Sequence, residues 1–174
     1  YLPISFVKSG KTRQASSRNA IYSLEKFSPK NVLIHDAARP LASNNLIKKL
    51  LKSLNTSIAS VPFIKNRDYI KISKKNLINK NIIKNIQTPQ AFKYYAILKA
   101  HKFIKNDNFA DESSMLENIG YKIRYLKGES TNFKITYKED MDIFKKLKHK
   151  EYRYGIGYDI HKINYSSKKF LKLC

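Results

Sequence analysis

Cysteine is nearly absent from this chain of 174 residues: the single one, Cys174, is the last residue, so no disulfide can form within it. A reducing, cytoplasmic compartment is the expectation that follows. No apolar run approaches the length needed to span a bilayer, and no basic-then-apolar leader opens the sequence. Both absences point to a soluble protein with no membrane partner. Acidic residues are scarce as well, 13 against 35 Lys plus Arg, and the formal net charge is +22. Such a charge invites a nucleic-acid-binding module. The pattern for one is missing: the lysines are spread along the whole chain among Asn and Ile, and no basic run interleaved with aromatics offers a groove for a nucleic-acid backbone. Small polyanionic substrates suit the positive field better. No initiating methionine precedes Tyr1, and the chain stops inside an alternating apolar segment, Phe170-Leu171-Lys172-Leu173-Cys174, as a piece of something longer would.

Apolar periodicity alternates between strand and helix spacing. Short strands are expected at Ser5-Phe6-Val7, Val32 to Ile34, Ile58 to Phe63, Tyr121 to Tyr125 and Phe133 to Thr136. Helical spacing runs through Ala20, Ile21 and Leu24. It recurs after Ser43, a residue suited to capping, at Leu46, Ile47, Leu50, Leu51 and Leu54. Gln87-Thr88-Pro89-Gln90-Ala91-Phe92 is expected to introduce a helix through Tyr95, Leu98 and Phe103, with Thr88 held extended by Pro89. Two more helices are expected, Asp111 to Asn118 stopped by Gly120, and Glu139 to Leu147. Residues 65–84 carry no caps and alternate at Tyr69-Ile70-Lys71-Ile72-Ser73, which predicts an extended arm or hairpin. Strands alternating with helices predict an α/β fold, doubly wound, with a mainly parallel sheet. The composition changes over residues 145–150, and Tyr152 to His161 reads as a new strand, so a boundary is expected near Lys150.

The junction Ile34-His35-Asp36-Ala37-Ala38-Arg39-Pro40 puts a carboxylate and a guanidinium three positions apart where a buried strand gives way to a loop. Open α/β sheets bind ligands at such strand ends. An acid there suits a divalent cation, and an arginine suits a phosphate. The same spacing also suits a structural ion pair, and spacing alone leaves both readings open. Lys134 by itself reads as a solvated lysine, Ser16 as a helix cap, Thr88 as the residue restrained by Pro89 and Gly10 as a turn. His35 reads as a structural histidine at the strand end.

Several pieces occur in one order: Gly10-Lys11-Thr12-Arg13-Gln14-Ala15-Ser16, His35-Asp36-Ala37-Ala38-Arg39-Pro40, Thr88-Pro89-Gln90-Ala91-Phe92, Asp111-Glu112-Ser113-Ser114, and Asn132-Phe133-Lys134-Ile135-Thr136. As a set they closely resemble the 2-C-methyl-D-erythritol 4-phosphate cytidylyltransferases, over residues 1–150. Gly155-Ile156-Gly157-Tyr158-Asp159-Ile160-His161 resembles the opening strand of the 2-C-methyl-D-erythritol 2,4-cyclodiphosphate synthases, and Leu171-Lys172-Leu173-Cys174 their next strand. The chain therefore resembles an internal piece of a bifunctional enzyme. The resemblance implies a Rossmann-like nucleotidyltransferase domain over 1–150 without its N-terminal glycine-rich unit, and the first strands of a second α/β domain over 151–174.

It further implies transfer of a cytidylyl group from CTP to methylerythritol phosphate in isoprenoid precursor synthesis, with release of pyrophosphate. Asp36 would hold Mg²⁺ and contact substrate, Lys134 would act as a cation beside the reacting phosphates, and Arg39, Thr88 and Lys80 would bind methylerythritol phosphate. Gly10, Lys11 and Ser16 would line the cytosine pocket. Asp159 and His161 would be two ligands of Zn²⁺ or another divalent metal in the second domain, and the 65–84 arm would join two copies into a dimer. Three positions depart from the family pattern: Tyr69 and Ala110 stand where threonines are usual, and Lys80 where an arginine is. Without the glycine-rich unit, these residues alone are expected to bind CTP poorly and to be inactive. Two rival readings are a cytidylyltransferase for another polyol phosphate, such as ribitol 5-phosphate, and the basic nucleic-acid-binding module.

Overall fold

The computed structural model describes residues 4–66, 70–71, 77–78, 83–104 and 109–148. The expectations placed on Tyr69, Lys80, Asp159 and His161, and the second element over 151–174, lie outside the described residues.

The chain forms α1 (Arg13–Ser23), a 3₁₀ turn (Glu25–Phe27), β1 (Asn31–Ile34), α2 (Asn44–Ser53), β2 (Ala59–Lys65), β3 (Ile70–Lys71), β4 (Leu77–Ile78), β5 (Lys84–Ile86), β6 (Gln90–Lys93), α3 (Tyr94–Phe103), α4 (Glu112–Asn118), β7 (Ile123–Lys127) and α5 (Lys138–Lys148). Local chemistry sets several of these boundaries. The Ser43 hydroxyl accepts the Leu46 N–H and caps α2, as its sequence position predicts. Asp111 and Ser114 close a reciprocal capping box on α4, and the chain leaves that helix through Gly120 at a φ of 88°, a conformation that favours glycine. β3 and β4 pair antiparallel, which gives the expected arm its hairpin.

Helices cover both faces of the sheet, and strand alternation decides which side chains meet which helix. Leu33, Ala91 and Leu126 point to α2, where Leu46, Leu50 and Leu54 form the apolar stripe. Val32, Ile34, Phe92 and Ile123 point the other way, into the core built with Ile21 of α1, Ile97 and Ala100 of α3 and Met115 and Leu116 of α4. No helix among the described residues is long and apolar enough to cross a membrane.

The doubly wound α/β architecture holds, but the mainly parallel pairing does not. β6 lies between β1 and β2 and runs antiparallel to both; β5 is antiparallel to β2, and among the described residues only β7 pairs with β2 in parallel. Gln90-Ala91-Phe92, expected to lead into a helix, is thus strand, and α3 begins after it. The buried face of that helix is Tyr94, Ile97 and Ala100, while Tyr95 and Phe103 of the expected face are exposed. Two expected strands are not formed. Residues 5–7 find no strand partner among the described residues, and Phe6 is 97% exposed. Among the described residues, 133–136 join the fold by one bond between main-chain groups, from Ile135 N–H to the Ala38 carbonyl, and not by a ladder.

β5 and β6 follow one another along the same edge of β2. Between the pairs Phe63–Ile86 and Ser60–Ala91, two residues of β2 face the four residues 87–90. The surplus forms a bulge, a device that re-aims side chains at sheet edges and sites. Here it turns Thr88 toward the end of β1. The Thr88–Pro89 bond within it is cis.

Candidate active site

β1 ends at Ile34, opposite Gln90, and the chain turns at once: Arg39 N–H donates to the Asp36 carbonyl at 2.9 Å. Inside the turn the Asp36 carboxylate accepts the Ala38 N–H at 3.1 Å, a side-chain turn that short acids make readily. The other oxygen, Oδ2, lies 2.8 Å from Lys134 Nζ. That hydrogen bond holds the Asp36 carboxyl below the usual carboxylate range; partial burial opposes it, and the Ala38 N–H adds to it.

Thr88 Oγ1 accepts the Asp36 N–H at 2.9 Å and lies 3.1 Å from His35 Nδ1. His35 Nε2 lies 3.0 Å from the Arg39 carbonyl, which only accepts, so Nε2 donates. In a neutral ring Nδ1 then accepts the Thr88 hydroxyl proton. Through these two bonds His35, an exposed residue that also lines the cavity, ties the bulge to the turn. Arg39 is less open than a phosphate clamp needs. Its Nη1 donates to the Asn132 carbonyl at 2.8 Å and its Nη2 to the Ile86 carbonyl at 3.4 Å, and burial lowers its pKa. Each terminal nitrogen keeps a second N–H.

Asp36, Arg39, Thr88 and Lys134 line one cavity of about 770 Å³, together with Ser16 and Arg13 of α1, Gln90 of β6, Asp111 at the start of α4 and Ser113 within it, and Tyr125 of β7. Gly10 and Lys11 are not among its lining residues. Gly10 is instead fixed against α1: its N–H donates to Ser16 Oγ at 3.0 Å, and a Cβ there would overlap Ala15. The cap of α1 is Thr12, which accepts the Ala15 N–H, so Ser16 is not the cap.

Three further lining groups have no role assigned from the sequence, although Arg13 and Asp111 stand within the ordered motifs. Arg13 donates through both terminal nitrogens to Glu112 Oε2, each at 3.0 Å, across 99 residues of chain. The Tyr125 hydroxyl donates to Glu117 at 2.8 Å, and burial, with that bond, pushes its pKa up to about 12. Asp111 is more than a cap. Burial pushes its carboxyl up, but bonds from the Ser114 N–H, the Gln90 amide and the Ser113 hydroxyl outweigh it, and the pKa lies below the ordinary 3.8.

A native carboxyl held below its unfolded value adds stability that is complete above the unfolded pKa and is lost as pH falls through the native one. Asp111→Asn is therefore expected to lower stability at neutral pH and to flatten the loss of stability in acid below the ordinary carboxyl value of 3.8. Urea unfolding from pH 2 to 7, roughly the span over which carboxylates titrate, measures this. An acid limb as steep as the parent's would contradict it.

Among the described residues no three His, Cys, Asp or Glu side chains gather as a metal cluster. Of the carboxylates at the cavity, Asp111 is taken up by Gln90, Ser113 and Ser114, and Glu117 by Tyr125. Asp36 is the one whose partner, Lys134, is a half-exposed and movable cation. A divalent ion would thus find one protein oxygen and draw the rest from phosphates and water, which is how Mg²⁺ is ordinarily held.

The family model for 2-C-methyl-D-erythritol 4-phosphate cytidylyltransferase (IspD) matches residues 2–147. The chain is 39% identical over 181 residues to the bifunctional enzyme IspD/IspF of Wolbachia sp. subsp. Brugia malayi (strain TRS), covering 98% of this chain and 44% of that enzyme. It is 35% identical over 143 residues to the 2-C-methyl-D-erythritol 4-phosphate cytidylyltransferase of Thermotoga neapolitana, covering 80% of this chain and 64% of that one. The crystal structure of the 2-C-methyl-D-erythritol 4-phosphate cytidylyltransferase from Thermus thermophilus superposes with a TM-score of 0.76 at 29% identity, over 82% of this chain and 71% of that one. The chain spans less than half the length of the bifunctional relative.

Proposed function

The chain belongs to the 2-C-methyl-D-erythritol 4-phosphate cytidylyltransferase family, and from that membership we propose that its cavity joins CTP to methylerythritol phosphate. A phosphate oxygen of methylerythritol phosphate attacks the α-phosphorus of CTP, the bond from that phosphorus to the bridging oxygen breaks, and pyrophosphate leaves. Negative charge grows on the phosphoryl oxygens, so positioning and fixed positive charge do most of the work. The observation that carries the reading is the convergence of Asp36, Arg39, Thr88 and Lys134, from three separate segments, on one cavity with Lys134 Nζ 2.8 Å from Asp36.

In this reading Lys134 neutralises the reacting phosphate, and a compact ammonium suits that task. Arg39, through its remaining N–H groups, and Thr88 receive the phosphate of methylerythritol phosphate. Lys80 adds a further charge from the arm, and Ser16, which holds the Gly10 N–H, faces the cytosine, with Lys11 next in the chain. Asp36 would hold Mg²⁺, which supplies charge neutralisation and alignment of the triphosphate when bound. Residues 151–174, with Asp159 and His161 as ligands of a divalent metal, begin a cyclodiphosphate synthase domain. Supporting this division, the alignment to the bifunctional enzyme covers 98% of the chain, and that to the single-function enzyme 80%.

The test is pyrophosphate release by the full-length enzyme with CTP and either methylerythritol phosphate or ribitol 5-phosphate. Turnover with methylerythritol phosphate is expected to exceed that with ribitol phosphate by about 10²-fold or more, since a site built for one set of hydroxyls rejects another. Preference for ribitol phosphate would replace the proposed acceptor.

A further inference from the structure

Lys134 is half-exposed, on a segment with no helix or strand, and lysine side chains are mobile. Something must hold its backbone. Two buried amides do so. Gln87, 2% exposed, accepts the Glu129 N–H through Oε1 at 3.1 Å and donates through Nε2 to the carbonyls of Glu129 at 2.8 Å and Asn132 at 3.1 Å. Its own N–H is spent on the Pro62 carbonyl, so the residue is pinned at the bulge. Asn132, fully buried, donates through Nδ2 to the Thr88 carbonyl at 2.8 Å, and its carbonyl also receives Arg39 Nη1. Only Phe133 separates it from Lys134.

We infer that Gln87 and Asn132 are positioning residues for the transfer reaction, a buried amide pair that fixes the 128–136 loop so that Lys134, Arg39 and Thr88 keep one mutual geometry. This rests on the proposed transfer activity. Neither residue touches the cavity, and neither is among its lining residues. They act through the three that do. The orientation of the Gln87 amide is set by its partners, because a main-chain N–H faces Oε1 and two carbonyls face Nε2. A purely structural pair would cost stability and nothing else. A positioning pair costs turnover through Lys134.

The experiment compares Gln87→Ala, Asn132→Ala, Lys134→Ala and the double variant Gln87→Ala/Lys134→Ala in the full-length enzyme. Misplacement of a reacting group by an ångström costs on the order of 10²-fold, so each amide variant is expected to lose about that factor in kcat, with KM for methylerythritol phosphate changed far less. The double variant is expected to fall below Lys134→Ala by far less than Gln87→Ala falls below the parent, because residues that act as a unit are not additive and only the share carried by Arg39 and Thr88 remains to be lost. Losses that multiply would overturn the inference. Hydrogen exchange gives a readout free of substrate: amides in 128–136 are expected to exchange faster in Gln87→Ala while those of α2 and α3 keep the parent's rates. Unchanged protection of the loop would equally overturn it. If Gln87→Ala unfolds, Gln87→Met keeps the volume without the hydrogen bonds and is read in the same way. A parent enzyme with no cytidylyl transfer would defeat the proposed function, and the exchange experiment would still decide the role of the amides.

Discussion

Lys134→Ala is expected to lower kcat for cytidylyl transfer by about 10²–10³-fold in the full-length enzyme, the cost of deleting one preorganised group aimed at developing charge. Its melting temperature should stay close to the parent's. The two effects separate because they have different origins. The pair with Asp36 is 50% and 32% exposed at its two ends, and half-exposed ion pairs contribute about 0–1 kcal/mol to folding. In the transition state the same ammonium meets phosphoryl oxygens in a cavity from which substrate has displaced water, where a fixed charge counts for far more. Lys49→Ala on the exposed face of α2 removes the same formal charge away from the cavity and should leave kcat unchanged. If Lys134→Ala turns over like the parent, Lys134 has no part in the reaction. If Lys49→Ala loses as much, the effect belongs to the overall positive field.

Much of this was legible because the signals are local. Ser43 before an apolar repeat gives a capped helix, Gly120 after one gives its end, and the Asp36–Arg39 turn follows an apolar strand. What escaped is non-local. Gln90-Ala91-Phe92-Lys93 is only four residues long and follows a proline, so nothing in it announces a strand at the centre of a sheet. Its place comes from β1 and β2, far away in sequence, which need a partner between them. The alternation at residues 133–136 does announce a strand, but the segment is held by the Ile135 N–H on the Ala38 carbonyl of the turn and not by a strand of the sheet. Arg39 is the instructive case among the site residues. Its position was readable, but the use of its guanidinium on the carbonyls of Asn132 and Ile86 was not, since those partners lie 93 and 47 residues away. The same holds for Gln87 and Asn132, residues of types mostly found exposed, which the fold buries between three segments.

Gly128 brings these arguments together, because its expected effect is large and its sign has to be decided between opposing terms. Its N–H donates to the Phe63 carbonyl at 2.7 Å as β7 runs into the loop. Its backbone does not lie in the left-handed region, so alanine would fit the local conformation and, by restricting the unfolded chain, would favour folding by about 0.4–1 kcal/mol. Space decides otherwise. A Cβ at this position would collide with Gln87 Oε1 and stand 3.2 Å from both Gln87 Cδ and the Phe63 carbonyl oxygen. Gln87 is buried and held by three side-chain hydrogen bonds, so its amide cannot swing aside without leaving main-chain partners unpaired, at about 1–3 kcal/mol for each. Gly128→Ala is therefore expected to destabilise the protein by about 2–4 kcal/mol net and to slow turnover as Gln87→Ala does. Urea unfolding of the single variants and of Gln87→Ala/Gly128→Ala checks the cause. With the Gln87 side chain already gone the methyl has little to strike, and the second substitution should cost under about 1 kcal/mol or even stabilise. Equal costs in both backgrounds would mean that the methyl meets the Phe63 carbonyl and not the amide, and would cut the link between this glycine and the placement of Lys134.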